Sequence, residues 1–232
     1  MFSRHIFLLP VLFFALPRLF AQASGLELPG QDVLQKIFNK PAIINTKVSQ
    51  EKGSDNIRWI DTYTDIHFST DISLDALRRT ILDFDNYPRM FRRNQSISVI
   101  RKNGAVYHDM TMGAELMGIS FLTKYRVLVT ELVNTPEEFV IDYRFISGDG
   151  TIKEFYGRWY FEKIPQYGNG EYLCYVRCYT SSVVIRKYPL QRLIMSLFIN
   201  SESRDLMSQF LKTAAEFPLT PAGSSSLQSP PF

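Results

Sequence analysis

From Arg58 to Thr70 the chain alternates strictly: Ile60, Thr62, Thr64, Ile66 and Phe68 fall on one face, and Trp59, Asp61, Tyr63, Asp65 and His67 on the other. A two-residue period is that of a strand with one face toward a core. The period then lengthens. Leu74, Leu77, Ile81, Leu82 and Phe84 recur at helical steps behind Ser73, with Asp75 in the first turn where the helix dipole favours an acid. This helix is expected to end near Phe84 or Asp85, since Asp83, Asp85 and Asn86 weaken it and Pro88 disfavours helical geometry at Tyr87. At most a short second helix begins at Pro88.

Beyond Pro88 the pattern is again that of strands: residues 97–101, 105–113, 119–131, 138–146, 151–163 and 171–185. Lys102-Asn103-Gly104 is a strong hairpin signal, and Ser147–Gly150 and Gly168-Asn169-Gly170 supply two more turns. Such short loops make the strands antiparallel neighbours in a meander. The last element is a long helix from about residue 189 to 217, in which Leu190, Leu193, Ile194, Leu197, Phe198, Met207, Phe210, Leu211 and Ala214 recur at three and four residue steps. Its polar middle, Asn200–Ser203, suggests a bend. Residues 24–56 read as an appendage and linker, with two helical turns over 32–39 and a loop over 49–56. Residues 218–232, rich in Pro and Ser, read as a disordered tail.

The first 23 residues stand apart. Arg4, the apolar run Ile6–Leu16 and Ala21-Gln22-Ala23 have the order of a secretory signal with its cleavage site, and Pro10, Pro17 and Arg18 interrupt the run too early for a membrane span. The mature chain is therefore expected to be exported, periplasmic or secreted. Removing Arg4 and Arg18 leaves 24 of the 26 basic residues against 23 acidic ones, too even a balance for a nucleic-acid footprint. The basic clusters Arg78-Arg79 and Arg89 with Arg92-Arg93 suit a solvated face or a transient contact with a membrane surface. Cys174 and Cys178 lie four residues apart on a strand, about 13 Å, beyond the ~7 Å that a disulfide allows. They read as small buried hydrophobes sharing one face.

Two short motifs narrow the fold. Asp83-Phe84-Asp85-Asn86-Tyr87-Pro88 closes the helix after the first strand, and Gly157-Arg158-Trp159-Tyr160-Phe161 lies in a later strand. Together with the element order over residues 57–217 they resemble the START-like, or helix-grip, superfamily, and within it the coenzyme Q-binding and polyketide-cyclase-like group. The aromatic expected shortly after the Pro is met by Met90-Phe91. The resemblance implies an α+β, helix-grip fold: a curved antiparallel sheet of about seven strands wrapped around a long C-terminal helix, with an apolar cavity between them. Its members bind sterols, phospholipids, quinones, polyketides or plant hormones, and some are cyclases or hydratases; fold alone does not choose among these.

Aromatic residues make up 14% of the chain, a rich supply for a sheet face or a cavity. Strand periodicity places Phe139, Ile141, Tyr143 and Phe145 on one inner face, Phe155, Gly157, Trp159 and Phe161 on a second, and Phe121, Thr123, Tyr125, Val127 and Val129 on a third. Each set is equally what a packed core would use. The candidate ligand contacts are Tyr87, Phe91, Tyr125, Ile141, Tyr143, Phe155, Trp159 and Leu197, with Tyr125, Tyr143, Thr64 and Thr123 able to orient a carbonyl or hydroxyl. No nucleophile elbow, phosphate loop or metal-ligand spacing is present, so neither cofactor nor metal is expected. His108 is the best acid–base candidate, but Asp109 beside it points to the opposite face. The sequence thus favours a monomeric carrier or presenter of a hydrophobic small molecule or lipid. A cyclase- or hydratase-type enzyme, or an interaction module with a closed interior contacting partners through Arg89, Arg92, Arg93 and the N-terminal appendage, stays open.

Overall fold

The structure, a computed structural model, describes residues 36–37, 42–52, 57–91, 93–116, 119–165 and 172–216. The expected signal segment, the 168–170 turn and the Pro/Ser-rich tail lie outside these residues. The chain divides into two compact units, Met1–Lys40 and Pro41–Phe232. In the first, residues 36 and 37 are described and are helical, within the predicted 32–39 turns.

The second unit carries eight strands: β1 (Ile43–Lys52), β2 (Arg58–Thr70), β3 (Asn94–Lys102), β4 (Ala105–Leu116), β5 (Ile119–Asn134), β6 (Glu138–Gly148), β7 (Ile152–Pro165) and β8 (Tyr172–Ile185). They form one open antiparallel sheet in the order β1-β2-β8-β7-β6-β5-β4-β3. Helix α1 (Leu74–Leu82) follows β2, a 3-10 turn (Phe84–Asn86) leads into the short α2 (Tyr87–Met90), and α3 (Gln191–Glu216) closes the chain. This is the helix-grip α+β architecture. Bulges in the β5–β6 pairing, one at Ile146 of β6 and one at Leu132 of the long β5, bend the sheet. At the β3–β4 hairpin Asn103 (φ 53°) and Gly104 (φ 76°) both take the left-handed conformation that a two-residue primed turn requires.

Two expectations are corrected. The segment read as appendage and linker contains β1, paired with β2 from Ile43↔His67 to Lys52↔Arg58, so the folded unit begins at residue 41 and the sheet has eight strands rather than seven. As an edge strand β1 has one neighbour, and its polar residues Asn45, Lys47, Ser49 and Gln50 blunt the alternation that marks a half-buried strand. Tyr87 is helical (φ −52°, ψ −39°) despite the following proline. Pro88 sits at the start of α2, where its missing N–H leaves no bond unmade, and Tyr87 is held by its hydroxyl and by edge-on contacts with Phe84 and Phe91. Helix α3 runs uninterrupted through its polar middle, Asn200–Ser203.

The concave face divides in two. At one end α1 is capped by Ser73, whose hydroxyl accepts from the Ala76 amide. Its Leu74, Leu77 and Ile81 join Phe68, Phe139 and Phe161 in a fully buried cluster. Trp159 borders this core, stacked on Phe161 (5.8 Å) and tilted against Phe210 of α3 (4.6 Å). At the other end the N-terminal half of α3 arches over the sheet without filling the space beneath it.

Candidate functional site

That space is a cavity of about 490 Å³. Protein interiors are otherwise close-packed, with voids rarely larger than a water molecule, whereas small-molecule sites measure about 300–1,000 Å³. Apolar side chains dominate one wall: Tyr125, Phe155, Trp159, Met110, Met112 and Ile66. Gly157 helps to make the room. A Cβ there would lie 3.3 Å from the Phe155 ring and 3.6 Å from the Tyr143 Cβ.

Beside these apolar side chains, on the same concave face, lies a patch of hydroxyls. Thr62 pairs with Ser182 and Thr64 with Thr180 across β2 and β8, so four hydroxyl-bearing side chains share the concave face. Thr62 and Ser182 are 2.7 Å apart, oxygen to oxygen, while the Thr64 and Thr180 hydroxyls are uncommitted among the described residues. The Thr46 hydroxyl continues the row on β1 and donates to Asn200 Oδ1 of α3 (3.0 Å). Sheet register extends the pattern to the apolar wall, since Thr180 lies opposite Gly157 and Cys178 opposite Trp159.

Three contacts fix the mouth and roof. Gln191, buried at the start of α3, accepts from the Lys187 amide (2.7 Å) and donates to the Ile185 carbonyl (3.1 Å), which ties α3 to the end of β8. Arg93, just after α2, grips Glu202 of α3 through Nε–Oε2 (2.7 Å) and Nη2–Oε1 (2.5 Å). A bidentate pair of this kind is geometrically restrictive. The Tyr87 hydroxyl donates to the Ile81 carbonyl (2.6 Å) and accepts from Tyr143 (2.7 Å), which pins the helix-to-sheet corner to the cavity wall.

Burial sets the protonation of the wall. It pushes the phenols of Tyr87, Tyr125 and Tyr143 and the thiol of Cys178 upward. All four are therefore neutral donors at physiological pH. The Tyr125 hydroxyl already donates to Met112 Sδ (2.7 Å). His108 lies on the same face of the sheet but behind Phe84, Tyr87 and Tyr143, with both ring nitrogens unpartnered among the described residues. Asp109 points the other way and pairs with Arg126 (2.6 and 2.7 Å). His108 does not line the cavity.

Of the eight predicted contacts, Tyr87, Phe91, Tyr125, Tyr143, Phe155 and Trp159 line the cavity. Two do not. Ile141 is fully buried beside Trp159 in the packed half of the face. Leu197 is 67% exposed, because the apolar stripe of α3 holds two faces: Ile194 and Phe198 turn to the cavity, whereas Leu193 and Leu197 turn outward. Thr64 and Thr123 line the cavity as expected, but Thr62, Thr180, Ser182 and the Arg93–Glu202 clasp went unread. The alternation Cys178, Thr180, Ser182, Val184 in β8 carried the signal for two of them.

Comparison with protein-family models and with curated proteins finds no match. Among solved structures the chain is similar to an aromatase/cyclase from Streptomyces sp. R1128, at 13% identity over 67% of this chain and 94% of that one, with a TM-score of 0.47. It is also similar to a STAR-related lipid transfer protein from Xanthomonas axonopodis (8% identity, 73% and 99%, TM-score 0.48). A third is a protein from Thermus thermophilus (11% identity, 66% and 94%, TM-score 0.44). Every one of these TM-scores falls below 0.5, too low to carry a function across. The chain's own strand order, with the long α3 laid across the concave face, gives it the helix-grip fold that the START-like resemblance implied.

Proposed function

We propose that this is an exported binding protein that holds one hydrophobic or amphiphilic small molecule, of lipid, quinone or isoprenoid type, between the sheet and α3 and acts as its carrier or presenter. The observation that carries the reading is the 490 Å³ cavity, lined by aromatic and methionine side chains and, beside them, by the Thr62, Thr64, Thr180 and Ser182 hydroxyls. Burial of apolar ligand surface supplies affinity at about 25 cal/mol per Å² before ordering costs. The hydroxyl patch suits an oxygen-bearing end. Export rests on the signal-like first 23 residues. The open interior speaks against a closed interaction module. The separation of His108 from the cavity speaks against its service as an acid in cyclase or hydratase chemistry.

Filling the cavity tests this. Thr180→Trp places a bulky side chain beside Gly157, in space that the folded protein leaves empty. Titration with cis-parinaric acid, a fluorescent sterol and a short-chain quinone should show one-to-one uptake of at least one probe by the wild type. Thr180→Trp should weaken that uptake by about tenfold or more, a loss of at least ~1.4 kcal/mol, with an unchanged circular dichroism spectrum. Failure of all three probes, or uptake that the substitution leaves intact, contradicts the reading.

A further inference from the structure

The outer face of α3 is anomalous for a surface helix. Leu190, just before it, and Leu193 and Leu197 within it are 63%, 53% and 67% exposed, and steps of three and four residues put them on one stripe. Scattered exposed leucines need no explanation, but a contiguous patch does. This stripe continues into the cavity. Leu193 and Leu197 each precede a cavity-lining residue, Ile194 and Phe198, and exposed Tyr188, Phe198 and Leu122 line the cavity as well.

The charge around the stripe has one sign. From Tyr172 to Ser201 the sequence holds Arg177, Arg186, Lys187 and Arg192 and no Asp or Glu. Arg177 is bound to Asp65 on the opposite face of the sheet. Arg186 packs against the base of the helix through the Tyr188 and Pro189 carbonyls. Lys187 and Arg192 are exposed on either side of Leu190, and neither is in an ion pair among the described residues. One acid, Asp149, feels Lys187, but it is tied to the Lys124 and Thr151 amides. Of the basic residues that the sequence suggested for an anionic surface, by contrast, Arg78 donates to the Thr135 carbonyl, Arg79 to the Asp75 carbonyl, and Arg93 holds Glu202.

We propose that the Leu190–Leu193–Leu197 stripe, with Lys187 and Arg192, is a docking face for an anionic lipid bilayer. An interfacial helix sinks its apolar side chains to the acyl boundary while basic residues at its edge meet the headgroups. No described helix is long and apolar enough to cross a membrane, so α3 would lie on the surface. Docked this way, Tyr188, Leu122 and Phe198 face the lipid, and a molecule leaving the bilayer meets the cavity without crossing water. The inference rests on the cavity-binding reading for its purpose but not for its test.

The test is flotation with vesicles of pure phosphatidylcholine and of phosphatidylcholine with about one-third phosphatidylglycerol, alongside cis-parinaric acid uptake from free solution. Full-length mature protein is expected to float with the anionic vesicles and not the neutral ones, and to be released by high salt. Leu193→Glu with Leu197→Glu should reduce flotation at least tenfold without altering uptake from solution; Leu193→Ser with Leu197→Ser is the milder pair should the first fold poorly. Lys187→Ala with Arg192→Ala should weaken flotation in low salt. The proposal is overturned if the wild type does not float with anionic vesicles, or if both leucine pairs float as well as the wild type. It is also overturned if the stripe proves to hold a dimer, dissolved by the leucine variants, that ignores vesicles. Loss of probe uptake with flotation intact would instead strike the cavity reading alone.

Discussion

Replacing Asp142 with alanine is expected to cost about 3–5 kcal/mol of stability, read as a lower midpoint in urea denaturation with an unchanged slope. Asp142 is fully buried on the convex face, where its carboxylate receives Arg158 Nε (2.5 Å) and Nη2 (2.8 Å) and the Tyr156 hydroxyl (3.2 Å). Removing the carboxylate takes both charge-assisted bonds from a guanidinium that is itself nearly inaccessible. The desolvation cost of that cation is then no longer offset, and this makes the single substitution so much worse than loss of a surface pair. Asp142→Leu combined with Arg158→Met should recover most of the loss, since no buried charge is left unpaired and the second charged partner of Asp142, Arg144, is exposed to water. The effect reaches the site by register: Asp142↔Arg158 is adjacent to Tyr143↔Gly157, so the pair fixes the cavity floor from behind. A cost below about 1 kcal/mol for Asp142→Ala would mean that water reaches Arg158.

The second large effect is on acid stability. Burial against Phe84, Tyr87 and Tyr143, together with the field of Arg101, lowers the His108 imidazole to about 4. An exposed histidine titrates near ~6.5. Below that pH the unfolded chain takes up a proton that the folded chain refuses. Stability that is fully present above pH 6.5 is therefore lost as the pH falls toward 4, by up to about 3 kcal/mol. Asp65 adds to the acid loss further down. Although burial opposes it, hydrogen bonds and charge from His67 and Arg177 hold its carboxyl at about 2, so its contribution disappears between the ordinary carboxylate range and that value. The interval from pH 6.5 to 4.5 belongs mainly to His108. His108→Phe should flatten the stability profile there, measured by urea denaturation at half-unit steps. A profile that keeps its slope in the variant would assign the loss to another group.

These two effects also show which parts of the molecule could be read along the chain. Strand β2 and helix α1 announce themselves because one face of each is apolar and the other carries polar or charged residues, and that contrast writes a period into the sequence. The Asp83–Pro88 corner and the Gly157–Phe161 run were legible for a similar local reason: each compresses several constraints into six residues or fewer. Edge strand β1 was not, because pairing on one side alone leaves its polar residues little reason to alternate. The convex-face pairs Asp142–Arg158 and Asp65–Arg177 look in sequence like solvated outer positions, and only the register of β6 with β7 and of β2 with β8 brings them together. The hydroxyl wall fails to show for the same reason, since Thr62 and Ser182 are 120 residues apart. Ile141 and Leu197 were misplaced by a different limit. Periodicity tells which face of an element is apolar, but not whether that face meets packed core, empty space or solvent.

The central claim is that the space between the sheet and α3 holds a ligand, and native mass spectrometry of the protein purified from its own cell tests it most directly. The wild type should carry one apolar or amphiphilic small molecule per chain, released by organic solvent, and Thr180→Trp purified in the same way should carry none. Wild-type protein that stays empty even after incubation with a lipid extract of that cell, or the same bound mass on Thr180→Trp, would contradict it.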